Sequence, residues 1–68
     1  MTTFRVFIIG DGDKYNRNCM RIFKNEQLIE AKNFARKYAA ESEYGAIVEI
    51  IMYRNNKAEK RVYTVRRK

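Results

Sequence analysis

NEQLIEAKNFARKYAAESE, residues 25–43, decides how this chain folds, because it is the one segment with a clear helical period. At about 100° per residue, Leu28, Ala31, Ala35, Tyr38, Ala39 and Ser42 fall on one face, with Phe34 on its flank. Glu30, Asn33, Lys37 and Glu41 fall opposite. Asn25 suits the N-cap, where a side-chain oxygen accepts from an orphan amide, and Glu26 follows at the positive end of the helix dipole. Gly45 suits the exit. The centre of the apolar stripe is three alanines. A helix with so small a face can lie close against a flat partner, with Leu28, Phe34 and Tyr38 filling the margins.

That partner is written on both sides of the helix. TFRVFII, residues 3–9, is rich in β-branched and aromatic side chains and predicts a strand. Alternation sends Phe4, Val6 and Ile8 one way and Arg5, Phe7 and Ile9 the other. CMRIF, residues 19–23, predicts a second short strand. AIVEIIMYR, residues 46–54, is a third. Asn55-Asn56-Lys57 then turns the chain, since Asn tolerates positive φ, and KRVYTVR, residues 60–66, closes a hairpin. The expected fold is α+β: one domain over residues 1–68, an antiparallel sheet of three to four strands, and one helix packed on one face. With no proline, no element is broken by force.

One helix covers one face of a sheet. If Val48, Ile50 and Met52 meet the helix, then Ile47, Glu49, Ile51 and Tyr53 line the other side with Arg5, Phe7 and Ile9. That open face is more apolar than a lone monomer tolerates. A chain of 68 residues is also marginal alone and gains from self-association. Arg5, Phe7, Ile9, Ile47, Ile51 and Tyr53 are therefore the expected partner face, of a homodimer or of a docked protein. The hairpin register stays open. A three-residue loop would bury Val62 and Thr64, and a four-residue loop Tyr63 and Val65, because a one-residue slip exchanges the faces.

Chemistry is excluded more easily than it is found. The chain has no histidine and one cysteine, Cys19, so it has neither a triad base nor an internal disulfide, and almost no zinc ligands. No metal or cofactor is expected. GDGD, residues 10–13, looks at first like a cation or phosphate loop. Asp11 and Asp13 match two positions of a calcium loop, but Tyr15 stands where a third ligand belongs. The segment also lacks Walker spacing, and two acids would repel a phosphate. It reads as the turn after the first strand. No stretch reaches the roughly 18 apolar residues of a membrane span, and no signal-peptide core is present. The expectation is a cytoplasmic protein with a reduced thiol and no membrane or small-molecule partner.

Charge is the remaining signal. The formal net charge is +7. Residues 1–24 hold five Lys/Arg against two Asp, residues 25–44 three against four Glu, and residues 45–68 seven against two Glu. Such a basic end favours a polyanion. Arg54, Lys57, Lys60, Arg61, Arg66, Arg67 and Lys68 could meet phosphates, and Tyr53 and Tyr63 could stack on bases. The specific signature of RNA-recognition folds is absent.

TFRVFIIG (residues 3–10), NEQLIEAKNFARKYAAES (25–42) and YGAIVEIIMYRN (44–55) together resemble the small strand–helix–hairpin proteins that bacteriophages make early in infection. These include antitoxins of the Dmd type and other host-defence inhibitors. The likeness is one of layout over most of the chain. It implies a stoichiometric binder and assigns no residue. The expected function is a small basic non-enzymatic protein that engages RNA or single-stranded DNA through its C-terminal hairpin, as a phage or mobile-element regulator of a host nucleic-acid-handling protein. The alternative is an inhibitor or antitoxin that blocks an acidic host protein through its apolar sheet face.

Overall fold

The computed structural model describes residues 1–9, 18–42 and 44–67. It contains a four-stranded antiparallel sheet with one α-helix against one face, the α+β arrangement expected from the sequence. The strands are β1 (Thr2–Ile9), β2 (Asn18–Lys24), β3 (Ile47–Arg54) and β4 (Lys57–Arg66), in the spatial order β2-β1-β3-β4. The helix, α1, runs Leu28–Glu41 between β2 and β3. The expected turn at Asp11 and Asp13 lies outside the described residues.

The strand order follows from composition. TTFRVFII and IVEIIMYR carry apolar side chains on both faces, and they occupy the two central positions. NCMRIFK and KAEKRVYTVR carry more polar and charged side chains, are mostly exposed, and form the edges. Charged residues and irregular pairing discourage edge-to-edge association. Both edges have irregular pairing: β2 shifts register opposite Val6 and Phe7, and β4 shifts twice, opposite Ile50/Ile51 and Met52/Tyr53.

Side-chain alternation is as expected on the helix side. Phe4, Val6, Phe23, Val48 and Ile50 are buried with Ala31, Ala35 and Ala39 of α1, and Ile8, Leu28, Phe34, Tyr38 and Met52 pack around them. The alanine seat lets the helix lie close, and larger side chains fill the margins. Phe34 joins Phe23 of β2 and Tyr38, with ring centroids 5.8 Å apart in each pair. Fully burying a Phe or Ile side chain is worth about 1.5–3 kcal/mol, so this cluster is the main source of stability.

The helix entry differs from expectation. Asn25 is not the N-cap of a long helix. Asn25–Gln27 forms a 3-10 turn, capped by Lys24, before α1 begins. The Gln27 Oε1 accepts from the Lys24 N–H at 3.0 Å, so the reaching side chain comes from inside the turn. At the other end the helix stops at Glu41. The Ser42 hydroxyl donates to the Tyr38 carbonyl at 2.7 Å, and its N–H donates to the Ala39 carbonyl at 3.2 Å. Gly45 lies beyond, with φ 88°, and its N–H reaches the Arg67 carbonyl at 3.0 Å. Its left-handed backbone thus starts β3 beside the end of β4. No helix among the described residues is long and apolar enough to cross a membrane.

The second hairpin resolves the open register in a third way. Its loop is two residues, Asn55 and Asn56, with φ 52° and 66°. Lys57 already faces Arg54 as part of β4. Two left-handed residues in a two-residue loop match the right-handed twist of the flanking strands. The two register shifts then bring Tyr63 opposite Ile50 and Val65 opposite Val48. Val62, Tyr63 and Val65 all pack against the core.

Candidate nucleic-acid interface

β4 is an edge strand, so its cations are reachable from either side of the sheet. Arg54, Lys57, Lys60, Arg61 and Arg66 are exposed, whereas Arg67 is half-buried. Register divides them. Arg61 pairs with Ile51 and Arg66 with Ile47, both on the open face. Lys60 pairs with Met52, a helix-side position, and Lys57 pairs with Arg54 two residues further along β3. The Arg67 N–H donates to the Ala46 carbonyl at 2.8 Å, and its guanidinium lies 4.7 Å from the Tyr44 ring. The hairpin is thus a strip charged on both flanks rather than one basic face. Lys68 lies outside the described residues.

Some of this charge is already engaged. Arg54 pairs with Glu59 at 3.2 Å across a solvated surface, which adds little to stability. Arg61 sits 3.5 Å from Glu49, whose side chain is 2% exposed while that of Arg61 is 62% exposed. A carboxylate in the sheet would repel phosphate, and Arg61 offsets that charge.

Tyr63 does not stand where a base could stack on the open face. It packs against the core on the helix side, with the Lys32 Nζ 5.6 Å from its ring centroid. The reason is the two-residue loop with its two register shifts, which puts Tyr63 on the same face as Ile50.

Most of the expected partner face does assemble. On the central strands, Arg5 pairs with Ile51, Phe7 with Glu49 and Ile9 with Ile47. Arg5, Phe7, Ile47, Ile51 and Tyr53 are half-buried, while Ile9 is buried and offers little contact area. The Arg5 guanidinium lies 3.9 Å above the Tyr53 ring centroid and donates to Asn56 Oδ1 at 3.3 Å. The Phe7 and Tyr53 rings are neighbours, tilted by 33° with centroids 6.3 Å apart. β2 widens this face beyond what alternation alone shows. Ile22 pairs with Arg5 and is 55% exposed, and Lys24 pairs with Thr3. Their membership depends on β2 lying against β1, the pairing that a hairpin turn after the first strand implies.

Among the described residues no group of three metal-ligating side chains comes together. No family model, curated protein or solved structure matches the chain.

Proposed function

We propose that this chain is a small non-enzymatic binding protein for single-stranded nucleic acid, RNA or DNA, whose phosphates run along β4. The observation that carries this reading is the edge position of that strand. Lys57, Lys60, Arg61 and Arg66 are exposed along it, with Arg54 at the turn. An edge strand lets cations from both sheet faces reach one extended polyanion, and neutralising phosphates releases condensed counterions. A role as a phage or mobile-element regulator of a host nucleic-acid-handling protein belongs to the same reading, supported by the layout resemblance.

Binding to an oligonucleotide at rising salt tests it. Each phosphate-contacting cation should add about 0.7 to the slope of log affinity against log salt for a single strand. Replacing Lys57, Lys60 and Arg66 together with Ala should flatten that slope and weaken binding to all sequences alike. No binding at low salt, or an unchanged slope, would remove the polyanion reading. The inhibitor alternative draws on the half-buried Phe7, Ile51 and Tyr53 with exposed Ile22. It would then be the better account, with an acidic protein as the partner.

A further inference from the structure

Resting on the polyanion reading above, we propose that the open sheet face is a base-stacking platform, with Phe7 and Tyr53 as its rings and the Arg5 guanidinium as a third flat surface. Phe7 belongs to β1 and Tyr53 to β3, the two central strands, so rigid pairing on both sides holds them. Register puts both on the open face, and their centroids lie 6.3 Å apart at an interplanar angle of 33°. The strand partner of Tyr53 on β4 is Ala58, whose methyl group does not cover the ring. Arg5 is fixed over Tyr53 by its contact with the ring and its bond to Asn56. A fixed guanidinium plane is itself a stacking surface for bases. Tyr63 takes no part, because it is packed on the helix side.

Charge selects the occupant. Among the described residues, register gives the face Arg5, Lys24, Arg61 and Arg66 against one carboxylate, Glu49, which Arg61 already engages. A second copy packed face to face would bring two net-positive faces together, and like charges across an interface cost affinity. A single-stranded nucleic acid instead supplies phosphates for the cations and π-faces for the rings. The phosphate track along β4 places Arg61 and Arg66 beside the platform, so the backbone passes there while bases turn inward over Phe7 and over the Arg5 guanidinium that Tyr53 supports from beneath.

The test separates rings from charges. Probes are oligothymidylate and oligouridylate of about a dozen nucleotides, matched by inorganic polyphosphate of similar length. Phe7→Leu and Tyr53→Leu keep apolar bulk while removing the π-face. Each should weaken binding to both oligonucleotides about 5- to 150-fold and leave polyphosphate binding unchanged. The chain has no tryptophan, so Tyr53→Trp introduces a single reporter. Its fluorescence should be quenched by the oligonucleotides and not by polyphosphate. Equal losses for oligonucleotide and polyphosphate, or no loss for either, would overturn the platform and leave the polyanion reading intact. Failure of the parent protein to bind any probe would overturn both. A stable dimer in sedimentation that the oligonucleotides do not dissociate, with no quenching of the indole in the Tyr53→Trp protein, would assign the face to a second copy.

Discussion

Ala35 shows how one small side chain can set the geometry of a fold. It is fully buried, as is Ala31 one helical turn earlier, and α1 approaches the sheet as closely as these methyl groups allow. Ala35→Leu forces extra carbon into a filled space and should cost about 1–3 kcal/mol. In a domain of this size, each kcal/mol lowers the melting temperature by about 4–8 °C, so thermal unfolding reads the effect directly. An unchanged melting temperature would mean that the helix rides further from the sheet than the alanine seat implies. This seat was legible because a narrow apolar stripe has few structural meanings. Glu49 was less legible. Alternation put it on the open face, where an isolated glutamate is ordinarily solvated, yet it is 1% exposed and engaged by Arg61. Its burial depends on neighbours from other segments, which no local pattern in the sequence records. Tyr63 illustrates the same limit, since its face depends on how many residues the loop spends.

At the scale of elements, the β3–β4 hairpin holds the most information per residue. Asn55 and Asn56 both adopt left-handed backbone, and each side chain also makes a bond: Asn55 Oδ1 accepts from the Met1 amino group at 2.8 Å and Asn56 Oδ1 from Arg5. Replacing both with Ala removes the bonds and the short polar side chains that let asparagine tolerate left-handed backbone, a region that costs other L-residues about 1–2 kcal/mol each. Urea unfolding should show a combined loss of about 2–4 kcal/mol. Asn56→Gly should cost far less, because glycine is at ease at that position and only the Arg5 bond is lost. If the double Ala variant unfolds at the parent's urea concentration, the two-residue loop is wrong. The turn is visible in the sequence as two asparagines between apolar runs, although the pattern alone suggests a loop one or two residues longer than the Asn55-Asn56 found. The two register shifts that follow were invisible. They arise where β4 must present charge along its edge and still bury Val62, Tyr63 and Val65, a compromise set by tertiary packing. The strand order was equally hidden, because pairing β3 with β1 is a long-range choice that follows from burying both faces of the two most apolar strands.

For the molecule as a whole, the excess of positive charge gives two salt effects of opposite sign. The free chain carries +7 on 68 residues, with seven cations among the last 24 residues. Like charges held together in the folded state repel one another, and unfolding lets them separate. Raising ionic strength shortens the Debye length from about 30 Å at 0.01 M to about 8 Å at 0.15 M, which screens that repulsion. The free protein should therefore melt at a higher temperature as salt rises over this range. Binding to an oligonucleotide runs the other way, because counterion release favours the complex most strongly at low salt. A ligand that binds only the folded state stabilises it by mass action, so an excess of oligonucleotide should raise the melting temperature at low salt. That increment should shrink as salt rises, while the free protein's own melting temperature climbs. The two curves should converge near physiological salt or above. Parallel curves would mean that the oligonucleotide is held without phosphate contacts. A free-protein melting temperature that falls with salt would mean that ion pairs such as Arg61–Glu49 and Arg54–Glu59 outweigh the repulsion. In that case the basic strip would be internally compensated, with little charge left to attract a polyanion.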